Sequence, residues 1–209
     1  MKHLRSLLLL AGLLLAGAAL AQTPEEILSK MEKALDAVEP KGLYMVVDMK
    51  LPIIGTTPSY IYLLGDKSRM ETKLLGHRLI EWSDGQTDWE YDETKNEVTI
   101  SRSPVEGTSE AAENAEMFNG IGEEYDVTLQ KETADAWHLR CKKSKANADE
   151  HAPKSMDLVV SKATGLPISL KTRISGVTVT IHDLRPGVSE KDVTFRLEDY
   201  PGAKVVDER

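Results

Sequence analysis

Apolar side chains recur along this chain with two different periods, and the change comes at Gly42. Ile27, Leu28, Met31, Ala34, Leu35 and Val38 fall on one stripe of an amphipathic helix. Thr23 is placed to cap it, Pro24 suits its first position, and Glu25 and Glu26 face the positive end of its dipole. Pro40 and Gly42 end it. From Leu43 the period is two, the mark of strands with one dry face. Leu43, Met45, Val47 and Met49 share a face opposite Tyr44, Asp48 and Lys50.

The alternation is strongest from His77 to Ile100. Ile80 and Trp82, then Thr87, Trp89 and Tyr91, then Val98 and Ile100, form the dry face of a three-strand meander. Asp84-Gly85 supplies its first turn and Glu93-Thr94-Lys95-Asn96 its second. Upstream, Pro52 to Pro58 reads as a loop, and Tyr60 to Leu64 and Arg69 to Leu74 as strands. Met70, Thr72 and Leu74 are expected to point inward, and Arg69, Glu71 and Lys73 outward. Between Leu43 and Ser101 there is no room for a crossover helix, which excludes a parallel sheet there.

Ser103-Pro104 to Thr108 breaks the sheet, and Ser109 opens a short helix, SEAAENAEMFNG. Its stripe is thin: Ala111, Ala115 and Phe118, extended at most by Ile121, with Met117 beside it. A helix so weakly held reads as a movable lid or as a static cover. The strand habit then resumes with Tyr125–Val127–Leu129 and Trp137–Leu139–Cys141. Met156–Leu158–Val160, Leu166–Ile168–Leu170 and Val177–Val179–Ile181 follow, and Phe195 and Leu197 end the series in a short strand. The total is about eleven strands in an α+β, mainly antiparallel domain.

The first 21 residues change the picture of where this domain works. Lys2 and Arg5 precede an apolar run from Leu7 to Leu15, and Ala19-Leu20-Ala21 is a small-residue cleavage site. Residues 1–21 are read as a signal peptide cut near Ala21-Gln22, with an uncleaved anchor as the alternative. Residues 22–209 form a single domain, exported and periplasmic. Of 26 basic residues, losing Lys2 and Arg5 leaves 24 against 34 acidic, a net charge of −10. Such a chain is a poor candidate for nucleic acid or for anionic membrane surfaces.

Candidate chemistry is sparse. His77, His138, His151 and His182 are far apart, and no HExxH, CxxC, GxSxG or phosphate loop occurs. Asp88, Glu90 and Asp92 share a strand face, which reads as a solvated outer face before a cation site. Cys141, the one cysteine, reads as a small buried hydrophobe. No enzyme, metal or cofactor is expected. The surplus is of apolar side chains, with Met45, Met49, Met70, Met117 and Met156 suited either to an adaptable greasy cavity or to a filled core.

The order of elements, the stretch DGQTDWEYD and the closing FRLEDYPGAKVVD resemble the periplasmic outer-membrane lipoprotein carrier (LolA-like) family. Asp84, Gly85, Trp89, Tyr91 and Asp92 match its D-G-x-x-x-W-x-Y-D feature, and Phe195 to Gly202 its closing segment. The resemblance implies an incomplete, unclosed β-barrel whose open side is covered by the N-terminal and mid-chain helices. It implies a hydrophobic interior that receives the acyl chains of lipoproteins, or other lipids, and a monomer. Its partners would be an inner-membrane release complex and an outer-membrane acceptor. Lipid contacts are then expected at Met45, Val47, Met49, Met70, Leu74, Ile80 and Trp82. Trp89, Tyr91, Ile100, Phe118, Leu158 and Leu170 complete that set. Leu28, Met31, Leu35, Arg69, Met117 and Phe118 are the lid and gating candidates. The other reading is a relative of the same fold that binds a different ligand or senses envelope stress.

Overall fold

The computed structural model describes residues 22–103 and 118–209. The expected signal peptide, and the mid-chain helix with Met117, lie outside the described residues. The chain enters through helix α1 (Pro24–Val38). The Thr23 hydroxyl accepts from the Glu26 N–H at 3.2 Å and the Glu26 carboxylate accepts from the Thr23 N–H at 3.1 Å, a reciprocal cap. A 3₁₀ turn, Glu39–Lys41, leads to Gly42 at φ 69°. A Cβ at Gly42 would lie 2.7 Å from both the Leu63 carbonyl oxygen and Val188 Cβ, so only glycine fits.

Six strands follow in a meander: β1 (Leu43–Leu51), β2 (Gly55–Leu64), β3 (Lys67–Leu74), β4 (His77–Ser83), β5 (Thr87–Asp92) and β6 (Glu97–Arg102). After a single helical turn, α2 (Ile121–Glu124), a second meander begins. It comprises β7 (Tyr125–Glu132), β8 (Ala136–Lys143), β9 (Ser155–Ser161), β10 (Pro167–Ile174) and β11 (Val177–Pro186). A second helical turn, α3 (Glu190–Val193), a 3₁₀ turn (Leu197–Asp199) and β12 (Lys204–Asp207) close the chain.

The described residues make one twelve-stranded sheet in the order β12-β6-β5-β4-β3-β2-β1-β11-β10-β9-β8-β7. Strands β1 and β11 pair antiparallel and join the two meanders. The outer strands β7 and β12 do not pair with each other, so the barrel is open, and the fold is α+β. Strand β12 runs parallel to β6, the one parallel pairing among the described strands.

Two boundaries and one side-chain direction differ from those expected. Strand β2 begins at Gly55, not Tyr60, and runs through Pro58. Proline is tolerated there because β2 is paired with β1 alone at that level; pairing with β3 starts at Ser59. The last strand is Lys204–Asp207, whereas Phe195 and Leu197 lie in a covering segment. Ile168, expected inward, is exposed, because the ladder slips between Pro167 and Ser169 and leaves it unpaired.

Candidate ligand-binding face

Cross-strand partners in an antiparallel ladder point to the same side of the sheet, so the register sorts every candidate residue. On one side Val47 faces Ile181, then Leu170, Leu158, Leu139 and Leu129 follow from strand to strand. This row crosses from β1 to β7 without a polar side chain. Beside it runs Met49, Val179, Thr172, Met156, Cys141 and Val127. The buried Thr172 hydroxyl is satisfied by donating to the Ser155 carbonyl at 2.9 Å. On the other flank Met45 faces Ile61, and Ile61 faces Met70.

Helix α1 lies on this side and buries Ile27, Leu28 and Met31 against it, with Leu35 and Val38 at the margin. Phe118 and Ile121 join the same cluster. The stripe read from the sequence is therefore the contact face of the helix. Polar ties are few. Lys30 Nζ donates to the Lys162 carbonyl at 2.6 Å and stands 5.1 Å from the centroid of the buried Trp137 ring. Gly165, at φ 80°, lets the β9–β10 turn approach α1, since a Cβ there would lie 3.1 Å from both Ala34 Cβ and the Lys30 carbonyl oxygen. Beyond β2 this side turns polar: Val47 is followed by Ser59, Thr72, Leu79 and Asp92. Met70 is the last apolar residue of its row, facing Glu81.

The reverse side carries a second apolar layer. Arg69 faces Trp82, then Trp89 and Ile100 follow. Glu71 faces Ile80, then Tyr91 and Val98. Residues 188–203 cross this layer as a strap. Helix α3 packs on β2 and β3. The Phe195 ring stacks on Trp89 at 5.7 Å and meets Trp82 edge-on at 5.3 Å. Tyr200 lies 4.3 Å from Tyr91 and 5.7 Å from Trp82. Asn96 fastens the end of the strap by donating to the Gly202 carbonyl at 3.1 Å and accepting from the Tyr91 hydroxyl at 3.1 Å. In the DGQTDWEYD stretch, Asp84 accepts from the Gln86 and Thr87 N–H groups at 3.0 and 2.8 Å and shapes the hairpin. Its Trp89 and Tyr91 hold the closing segment.

The single interior expected from the sequence is thus two layers. Met45, Val47, Met49, Met70, Phe118, Leu158 and Leu170 lie on the helix side with Leu28, Met31 and Leu35. Ile80, Trp82, Trp89, Tyr91 and Ile100 lie on the reverse side under the strap, and do not line the same space. Leu74 stands on a hairpin tip, 40% exposed. Arg69 is also on the reverse side, away from α1. Its guanidinium is 2.7 Å from Glu71 and 5.2 Å from the Tyr62 ring centroid. The physical reason is that alternation fixes which residues of one strand agree, not which side of the sheet they face. Trp137 and the strap residues Phe195 and Tyr200 were absent from the expected site. Their signal was aromatic: rings within or beside Pro/Gly-flanked or strand segments.

Electrostatics on both layers follow from burial and pairing. Burial pushes the Cys141 thiol up to about 11. Glu71 is held below the usual carboxylate range, first by its hydrogen bond from Arg78 and also by charge from Arg78 and Arg69. Among the described residues no group of three His, Cys, Asp or Glu side chains could hold a metal ion, and no helix is long and apolar enough to cross a membrane. Among their hollows are a surface groove of about 420 Å³ between α1 and β7 and one of about 640 Å³ beside β8–β11.

No protein-family model and no curated protein matches the sequence. Solved structures with a related course of the chain include LprF from Mycobacterium bovis, at 9% identity and TM-score 0.49, covering 83% of this chain and 100% of that one. MucB of Pseudomonas aeruginosa, solved with MucA, aligns at 14% identity and TM-score 0.46 over 83% of this chain and 62% of that one, so this chain spans less than two thirds of it. A LolA superfamily protein from Nitrosomonas europaea aligns at 13% identity and TM-score 0.30, over 84% and 99%. All three scores are below 0.5.

Proposed function

We propose that the protein is a periplasmic carrier that takes acyl chains of lipoproteins, or lipids, between α1 and the apolar side of the sheet. The observation that carries this reading is the kind of contact α1 makes. Its hold on the sheet is apolar and non-directional, with Lys30 to the Lys162 carbonyl as its side-chain hydrogen bond among the described residues. An acyl chain can replace the contacts of Ile27, Leu28 and Met31 on the Val47-to-Leu129 row, which carries no polar side chain. Met45, Met49, Met70 and Met156 supply deformable walls.

Enclosing an acyl chain stabilises it by roughly 0.8 kcal/mol per methylene. A long saturated chain is then held by on the order of ten kcal/mol, and release into water is slow. Cargo must pass by contact from an inner-membrane donor to a greasier outer-membrane acceptor. The process needs no covalent step. The tight packing of the helix side supports a second reading, a same-fold module that recognises a partner and does not carry cargo.

A dansyl-labelled fatty acid tests the site. In a variant with Trp82 and Trp89 changed to Phe, energy transfer from Trp137 to the bound probe is expected to saturate. The Trp137→Phe variant, which keeps both reverse-side rings, is expected to lose most of the transfer. Probe binding without transfer from Trp137 would reject the helix side as the site.

A further inference from the structure

We propose that one end of the sheet is a membrane-contact surface for anionic phospholipid, formed by two apolar hairpin tips above a collar of unpaired cations. The β1–β2 tip carries Ile53, 98% exposed, and Ile54, 44% exposed; the β3–β4 tip carries Leu74, 40% exposed, and Leu75, 70% exposed. Strand β2 pairs with both β1 and β3, so the tips stand side by side at the same end. Four large apolar side chains held in water on neighbouring turns have no folding role, because none belongs to either apolar layer.

Just below the tips the reverse side carries Lys50, level with Arg173 through Thr178, and Lys73 on β3. Lys154 and Lys171 continue the collar along the 640 Å³ groove that Arg173 also lines. None of these five side chains makes an ion pair or side-chain hydrogen bond with a described residue, although most other cations on this side do: Arg78 with Glu71, Lys67 with Glu190 and Arg140 with Asp157. The acids of the groove are Asp157, already paired with Arg140, and Glu150. In a chain of net charge −8 this is a local reversal of sign. Isoleucine and leucine at the tips suit the acyl boundary of a bilayer, and lysine and arginine one row behind suit the phosphate layer. This surface is independent of the cargo reading. It places the protein on a membrane whether or not α1 covers a lipid.

The test is flotation with vesicles of phosphatidylethanolamine and phosphatidylglycerol, using the secreted form with its N-terminus established by mass spectrometry. The wild type is expected to float with these vesicles and far less with pure phosphatidylcholine. Ile53→Asp/Leu75→Asp is expected to weaken binding about tenfold or more. The triple change Lys50→Gln, Lys73→Gln, Arg173→Gln is expected to remove the preference for phosphatidylglycerol. Both variants should melt as the wild type does, since all five positions are exposed; Ile53→Ser/Leu75→Ser serves if the aspartates disturb the turns. Absence of vesicle binding by the wild type would overturn the proposal. So would binding unchanged by the tip substitutions, or tips that instead drive self-association in the absence of vesicles.

Discussion

Arg69 is the cross-strand partner of Trp82, with its guanidinium carbon 5.7 Å from the indole centroid. That pairing turns the aromatic side of the meander away from α1 and gives the sheet a second covered face. On this face the covering element is the strap, and its anchor rings are Phe195 and Tyr200.

Phe195→Ala removes a half-buried ring that stacks on Trp89 and meets Trp82. A loss of about 2 kcal/mol is expected in urea unfolding. Binding of the acyl probe on the helix side should stay within error of the wild type. A large loss of probe binding would mean that the two layers are not separate.

Glu71 accepts from Arg78 at 2.7 and 3.0 Å and from Arg69 at 2.7 Å, and these contacts lower its pKa. The stability it contributes is present above the ordinary glutamate value and is lost as pH falls through the lower folded value. Glu71→Gln is expected to cost about 1 kcal/mol at neutral pH. It should also flatten the fall in stability between about pH 5 and pH 3. Parallel wild-type and variant curves over that range would contradict the assignment.

Gly165→Ala places a Cβ against Ala34 and the Lys30 carbonyl in a left-handed backbone. The expected cost is about 1 to 2 kcal/mol. Because the strain falls on the contact with α1, acyl-probe uptake should become faster while the melting temperature drops. Slower uptake would show that α1 need not lift.

Cys141 is fully buried on the helix side, and its thiol is pushed up to about 11. A disulfide reagent at about pH 8 should not label the native protein and should label it stoichiometrically in denaturant. Because the folded pKa is raised, stability should fall as pH rises from the ordinary thiol range through about 11.

Much of the fold was legible because its causes are local. The stripe from Ile27 to Val38, the cap at Thr23 and the alternation Ile80–Trp82 each depend on a few neighbouring residues. What the alternation could not supply was the side of the sheet, since that depends on which element covers it. Period two with its apolar neighbour Leu197 marks Phe195 as a strand residue, but its place over Trp89 is set by a contact between segments far apart in sequence. The cationic end was hidden for the same reason. Lys50 and Arg173 are far apart in sequence, and both lie one row below a hairpin tip only once β1 has paired with β11.

The central claim is that the helix side of the sheet holds an acyl chain. Native mass spectrometry of the protein purified from the cells that make it, followed by organic extraction, tests it most directly. The account predicts a population heavier by about one lipid or lipoprotein per chain, with the extract identifying the acyl class. An unliganded mass throughout, with no added mass on incubation with a fatty acid, would contradict it and leave the helix side as a filled core.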